Sequence, residues 1–314
     1  MKFKRLLTTT LLALTLTACG DNASTEVHLK VLSPTGAPAV ALYSLATDTE
    51  NYTTTTNPKD LIPNFKSDKY DIIVAPTNGG LMQIKQGAQY KIAATVTFGN
   101  FYLLASGRDI DQTLSAGDKV LVFQEGEVPD LVFKYLYGDL GLEVDYVSDA
   151  AATKNAIEND YSVKKSETET TYYDYIYTAQ PVVSATDSTI FKNIQDEFKA
   201  KSGGLGITQA SIFVNNKANK EAVEKFLNKI EQSIKDGLED PTLIKSEIEK
   251  LGSVKEQQNV FGVPGAMAFK VTKANNGFSL GFKRANEIKN EIQSFVNVVT
   301  GNKFGELSEE AIYQ

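Results

Sequence analysis

The chain has 314 residues, with 32 basic and 39 acidic side chains, a net charge of −7, one cysteine, one histidine and no tryptophan. The acidic balance argues against a nucleic-acid partner, which needs clustered Lys and Arg, and a lone cysteine excludes both an internal disulfide and a thiolate metal centre. Beyond roughly 250–300 residues a single core stops growing, so two structural units are expected.

The first element is a leader. Lys2, Lys4 and Arg5 precede an apolar run over 6–18 with threonines scattered through it. That run is shorter than the roughly 20 apolar residues a membrane span needs, and its charged, apolar and small-residue zones are those of a secretory signal. Leu16-Thr17-Ala18-Cys19 resembles the lipobox of bacterial lipoproteins. The resemblance implies that residues 1–18 are a signal peptide and that the Cys19 sulfur receives a diacylglyceryl group. Residues 19–26, small and polar, would then be a lipid-anchored tether. Several acyl chains hold firmly where one binds marginally. Three of the 32 basic residues lie in the leader, leaving 29 against 39 acidic.

Alternating apolar residues over 27–32 (VHLKVL) predict a strand. SPTGAPA then leads into an apolar helix over 40–46, with Pro38 suited to a first helical turn. A β-branched strand is expected over 52–56. Residues 57–68 read as helical, with Asn57 as cap and Pro58 at the first position, and Pro63 disturbing the later part. The run YDIIVA at 70–75 has the apolar character of a buried parallel strand. PTNGG turns into a helix over 81–87, and 91–98 is the next strand. Strands alternating with helices predict an open α/β sheet.

The pattern then restarts. Strands are expected over 102–106, 119–123, 144–147, 173–178 and 209–214, with helices over 130–141, 149–159 and 191–201, and an exposed loop over 164–171. Beyond these the chain reads as helical. Val223, Phe226, Leu227, Ile230 and Ile234 form a stripe at helical spacing, a helix follows Pro241, and another covers 284–300. The glycine-rich stretches 260–269 and 275–282 are expected to be irregular.

Three strand–loop–helix junctions share one design: Ser33-Pro34-Thr35-Gly36-Ala37, Ala75-Pro76-Thr77-Asn78-Gly79-Gly80 and Gln124-Glu125-Gly126-Glu127-Val128-Pro129. In an open α/β sheet, ligands bind beyond the carboxyl ends of the strands. Glycines there let a ligand approach the backbone, and helix N-termini offer free N–H groups. Ordinary βα turns favour the same residues, but three such junctions in two halves favour a shared site.

These junctions, with YDIIVAPTNGGLMQIKQG and KIAATVTFGNFYLLAS, resemble the solute-binding proteins of bacterial ABC importers. More narrowly they are similar to the branch that includes nitrate, alkanesulfonate, taurine and thiamine-precursor binders. The resemblance implies a two-lobed type II periplasmic-binding-protein fold, each lobe an open, mostly parallel sheet flanked by helices. Residues 27–99 and 219–314 would form lobe 1, and 100–218 lobe 2, with crossovers near 99–102 and 214–218. By position it implies solute contacts from Ser33, Thr35, Gly36, Ala37, Thr77, Asn78, Gly79, Asn100, Tyr102, Gln124, Gly126, Glu127 and Gln180, with Phe282 and Arg284 as weaker candidates. Gln180 departs from the pattern, because the family often has glutamate before the proline of YDYIYTAQP. The implied partners are a small polar or anionic solute, permease subunits with an ATPase, and a bilayer holding acylated Cys19. The implied place is the outer face of the cytoplasmic membrane, as a monomer and without a cofactor.

Some menaquinone- and thiamine-pathway enzymes share this architecture, and a sensing or adhesive lipoprotein would use the same lobes, so fold alone leaves these readings open. The residues favour binding over chemistry. His28 sits beside the tether, Asp71 lies at the far end of its strand, and no phosphate-loop or nucleophile-elbow motif occurs. Tyr43, Phe101, Tyr102 and Tyr177 are candidates for stacking on a ring.

Overall fold

A computed structural model describes residues 28–107, 113–186 and 188–314. The leader, the lipobox with Cys19 and the tether lie outside the described residues.

The first half runs β1 (Val31–Pro34), α1 (Ala37–Ala41), a 3-10 turn (Tyr43–Leu45), β2 (Tyr52–Thr55), a 3-10 helix (Pro58–Lys66), β3 (Ile72–Pro76), α2 (Thr77–Lys85) and β4 (Tyr90–Thr97). The chain then crosses to β5 (Phe101–Ala105), β6 (Lys119–Phe123), α3 (Val128–Tyr137), β7 (Glu143–Val147), α4 (Ala150–Glu158), β8 (Ser162–Lys164), β9 (Thr170–Tyr172), β10 (Tyr175–Ala179), α5 (Val182–Ala185), β11 (Ile190–Asn193) and α6 (Ile194–Lys201). It returns through β12 (Ala210–Asn215) to α7 (Lys220–Glu239), α8 (Pro241–Glu249), α9 (Val254–Phe261), α10 (Gly265–Lys273), β13 (Leu280–Arg284) and α11 (Lys289–Val299).

Two helix-flanked sheets result, as expected for this fold class. The first has the order β13-β4-β12-β3-β1-β2, the second β11-β5-β10-β6-β7. In the first, β1 pairs parallel with β2 and β3, and β12 enters antiparallel between β3 and β4. In the second, β6 pairs parallel with β7 and β10, and β5 enters antiparallel between β10 and β11. Each sheet therefore takes in one reversed strand delivered from the other half. A reversed strand starts at the edge where its parallel neighbours end. Both crossings consequently arrive at the carboxyl edge of the sheet that receives the strand.

Several expectations are corrected. Residues 210–215, expected in lobe 2, belong to the first sheet, so the return crossing lies over 202–209 and not near 214–218. The strand expected over 27–32 begins only at Val31, leaving His28 exposed before it. Residues 190–193 are an edge strand, and α6 starts after Asn193, whose side chain accepts from Gln195 N. The stretch 260–269 is largely helical: Gly262 ends α9 in a left-handed conformation, and α10 begins at Gly265. Its glycines mark a cap and a start, not irregularity. The stretch 275–282 leads into β13, which extends through Arg284, so the last helix begins only at Lys289. The exposed loop expected over 164–171 holds at 165–169, where it joins β8 and β9 into a small hairpin that takes in Lys164, Thr170 and Thr171.

Alternation along the strands of the first sheet sorts their side chains between two cores. Leu32, Ile73, Ile92 and Phe213 share one cluster with Phe65, Ile292 and Phe295, and that cluster continues into the second half through Phe101, Val122, Phe133 and Tyr177. Phe198 of α6 meets Phe295 of α11 edge-on at 5.7 Å. The opposite face of the first sheet, with Val31, Val74 and Ile212, packs on Val40, Phe226, Ile230, Ile244 and Phe261. The α7 stripe read from the sequence is thus a core face, each of its five residues buried. Among the described residues no helix is long and apolar enough to cross a membrane.

Candidate functional site

The carboxyl edge of the first sheet carries Thr35-Gly36, the start of α2, residues 98–100, Thr208-Gln209 and the approach to β13. The carboxyl edge of the second carries Gln124–Glu127, Gln180 and the start of α6. The two edges meet at the short crossing 98–100. There Asn100 Nδ2 donates to the Gln180 carbonyl at 3.4 Å, and Gln180 N donates to Asn100 O at 3.2 Å. Tyr102 Oη donates to Gly277 O at 3.3 Å, from the second sheet to the approach of β13.

Gln195, which the sequence reading missed, clasps this crossing. Its Oε1 accepts from Asn100 N at 3.2 Å and Phe101 N at 2.9 Å, while its Nε2 donates to Asn193 Oδ1 at 2.9 Å. The backbone passes so close that a Cβ on Gly99 would lie 2.6 Å from Gln195 Cγ. The legible signal was the cap: Asn193 at the start of a helical pattern. The reach of Gln195 across to 100–101 is tertiary.

Some sequence-selected residues are occupied within the fold. The Ser33 hydroxyl lies 2.8 Å from Tyr52 Oη in the core. Thr77 Oγ1 lies 2.8 Å from Ser211 Oγ, which lies 2.9 Å from Thr95 Oγ1, a buried chain of three hydroxyls. Gly36 N donates to Phe261 O at 2.9 Å, and Ala37 is buried in the five-residue α1. Gln180 Oε1 accepts from Ser184 N at 3.2 Å. Arg284 turns to α7, donating to Glu224 and to Asn228, and Phe282 packs against the α7 side of the sheet. Tyr43 donates to Ser233 O at 2.6 Å, and burial, with Asp236 adding, pushes its hydroxyl up to about 12. Phe101 and Tyr177 are core rings against Phe123. Of the four ring candidates, only Tyr102 reaches the junction of the edges. Asp71 accepts from Lys30 N at 2.8 Å at the start of its strand, away from both carboxyl edges.

Other polar groups at the edges have no partner. Asn78 and Asn100 are 8% and 3% exposed, and the Oδ1 atom of each is buried without a hydrogen bond. So are Thr97 Oγ1, Thr208 Oγ1 and Gln209 Oε1, which the sequence reading did not select. The backbone ties these together: Thr77 N donates to Gln209 O and Gln209 N to Thr97 O. A buried polar atom with no partner costs about 1–3 kcal/mol, and such atoms gathered at one edge are suited to a ligand.

On the facing edge, Gln124 and Gly126 have φ of 58° and 81° and shape the turn before α3. Gly126 N donates to Asp130 Oδ2 at 2.7 Å. The fully buried Asp130 carboxylate also accepts from Lys134 Nζ at 2.8 Å and Tyr146 Oη at 2.9 Å. Glu127 is partly buried beside this turn. Burial holds its carboxyl above the usual range, and Lys59, from the 3-10 helix of the first half, opposes that rise. Among the described residues no group of three or more His, Cys, Asp or Glu is placed to hold a metal ion.

No family model matches the chain, and no curated protein matches it in sequence. Solved structures do. An ABC transporter protein of Parabacteroides distasonis is similar over 91% of this chain and 98% of its own, with a TM-score of 0.69 and 15% identity. The periplasmic aliphatic sulphonate-binding protein of Escherichia coli is similar over 92% of each chain, with a TM-score of 0.65 and 11% identity. The alkanesulfonate-binding protein of Xanthomonas axonopodis pv. citri, bound to MOPS, is similar over 92% of this chain and 99% of its own, with a TM-score of 0.57 and 14% identity. The fold is therefore the type II periplasmic-binding fold, in the form these sulfonate binders share.

Proposed function

We propose that the chain is an extracytoplasmic solute-binding lipoprotein of an ABC importer. It captures a small polar solute between its two sheet edges and presents the closed form to a permease driven by an ATPase. One observation carries this reading: buried, unpartnered oxygens of Asn78, Thr97, Asn100, Thr208 and Gln209 gather where the two carboxyl edges meet. A solute held between the edges would supply the partners these buried oxygens lack, and hinge closure about short crossings is a standard means of enclosing one. Among the structurally similar proteins one is described as the ligand-binding component of an ABC-type import system and two as sulfonate-binding proteins, which supports the reading at the level of fold.

A thermal-shift screen of small anions, amino acids, sulfonates and pyrimidines tests it. A bound solute at 100 times its Kd is expected to add about 2.7 kcal/mol of stability. Asn78→Ala combined with Gln124→Ala should abolish the shift while leaving the melting temperature of the free protein nearly unchanged, since the Asn78 oxygen holds no partner. Failure of every solute to shift the transition would sink the binding reading, and an undiminished shift in the double variant would sink the site.

The anchor is part of the same proposal. It rests on the Leu16-Thr17-Ala18-Cys19 resemblance and places the chain on the outer face of the cytoplasmic membrane. Cys19→Ser is expected to block lipidation, seen as loss of lipid label incorporation. Unchanged labelling would remove Cys19 as the attachment point.

A further inference from the structure

We infer that the solute of this cleft presents a nitrogen head group, a protonated amine or amidine, to the second-sheet edge, not an oxyanion. The inference rests on the binding reading above and concerns the chemistry of the same site.

The argument begins with orientation. Asn100 Nδ2 is committed to the Gln180 carbonyl, so its free Oδ1 is an acceptor and calls for a donor on the solute. Asn100 is 3% exposed and sits where the two edges join. Around it three backbone donors that an oxyanion could use are already taken. Gln195 Oε1 accepts both Asn100 N and Phe101 N. Thr77 N, at the start of α2, donates to Gln209 O.

The helix starts on the second edge carry the chain's own carboxylates. Glu127 is the residue preceding α3, and Asp130 lies in its first turn, where it takes Gly126 N. Asp149 precedes α4 and accepts Ala152 N at 2.9 Å. A carboxylate at a helix N-terminus occupies the positive end that would otherwise attract an anionic ligand. Among the described residues Glu127 has no ion pair within 4 Å, and Lys59 is the cation that acts on it from across the cleft. Arg284, the one arginine among the described residues, is engaged on α7. The free Asn100 oxygen and the unpaired Glu127 carboxylate thus both call for N–H donors, and a charge-assisted bond to Glu127 would be the strongest single contact.

Four probes decide the matter on the full-length chain by thermal shift and calorimetric titration: agmatine, putrescine, methanesulfonate and nitrate. Agmatine or putrescine is expected to bind, with affinity falling at least about tenfold in Glu127→Gln while the unfolding transition of the free variant stays within a degree or so of the parent. Methanesulfonate and nitrate are expected to leave the transition unmoved. Binding of either anion without the bases would overturn the head-group inference and leave the binding reading intact. Equal affinity of the bases for parent and Glu127→Gln would also overturn it. Silence from all four probes overturns it too, and the wider solute screen then decides separately whether the cleft binds anything.

Discussion

Gly79→Ala and Gly80→Ala, the same change at adjacent residues of α2, are expected to shift stability in opposite directions. A Cβ on Gly80 would fall 2.2–2.7 Å from three atoms of the Phe213 ring. Phe213 is fully buried in β12 and packs edge-on against Phe65 at 5.5 Å, so the ring cannot swing away without disturbing the core. Overpacking of this kind costs about 1–3 kcal/mol, sometimes more, and a clash this short belongs at the upper end. Relief of the helical glycine penalty returns up to about 1 kcal/mol. The net expectation is a loss of about 2 kcal/mol. A Cβ on Gly79 would meet nothing nearer than 3.9 Å, so there the propensity gain stands alone, up to about 1 kcal/mol. Urea unfolding of both variants checks this, and equal shifts of the same sign would refute the packing argument.

Asp130→Ala is expected to cost about 3 kcal/mol and to loosen the Gln124–Glu127 turn. The carboxylate is wholly buried and receives three donors, from Gly126 N, Lys134 and Tyr146. Hydrogen bonds to a charged group contribute about 1.5–3 kcal/mol each, and donors stranded by truncation add a desolvation penalty. Lys134 is half exposed, so water can take back its ammonium and the total stays below a simple sum. The same carboxylate, through its hydrogen bond, holds the Lys134 ammonium above its usual range; burial first and then Asp130 raise the Tyr146 hydroxyl. Asp130→Asn, which keeps an acceptor and the volume, should lose less. Unfolding free energies and hydrogen exchange at the Gly126 amide provide the measurements. A protected Gly126 amide in Asp130→Ala would show that the turn holds without its carboxylate.

These two residues show where sequence reading reaches its limit. PTNGG was legible as a strand-to-helix junction, yet Gly79 was singled out as a ligand contact and Gly80 only as part of the junction. Nothing local separates two neighbouring glycines; only the approach of β12, a strand more than a hundred residues away in the chain, gives one of them a ring to avoid. Asp130 likewise reads as an ordinary acidic residue in a first helical turn. Its burial follows from the turn folding back over it. The return crossing was misplaced for a related reason: QASIFV is equally apolar whether it ends the second half or inserts into the first sheet, and antiparallel insertion between β3 and β4 is a choice of pairing, not of composition. Glycines at 262 and 265 were read as breaking structure, where they end one helix and begin the next.

By itself the sequence determined the period of most elements up to α8, hence two α/β halves, the buried stripe of α7, and the three junctions whose residues lie at the carboxyl edges. Those are local properties, set by side-chain alternation, capping residues and turn chemistry within a few residues of one another. Tertiary structure alone decided which of the chosen polar groups remain free. Ser33 and Thr77 lose their hydroxyls to Tyr52 and Ser211, while Asn78 and Asn100 keep unpartnered oxygens. A hydrogen bond between residues far apart in the chain depends on strand order and register, and no short-range pattern encodes it.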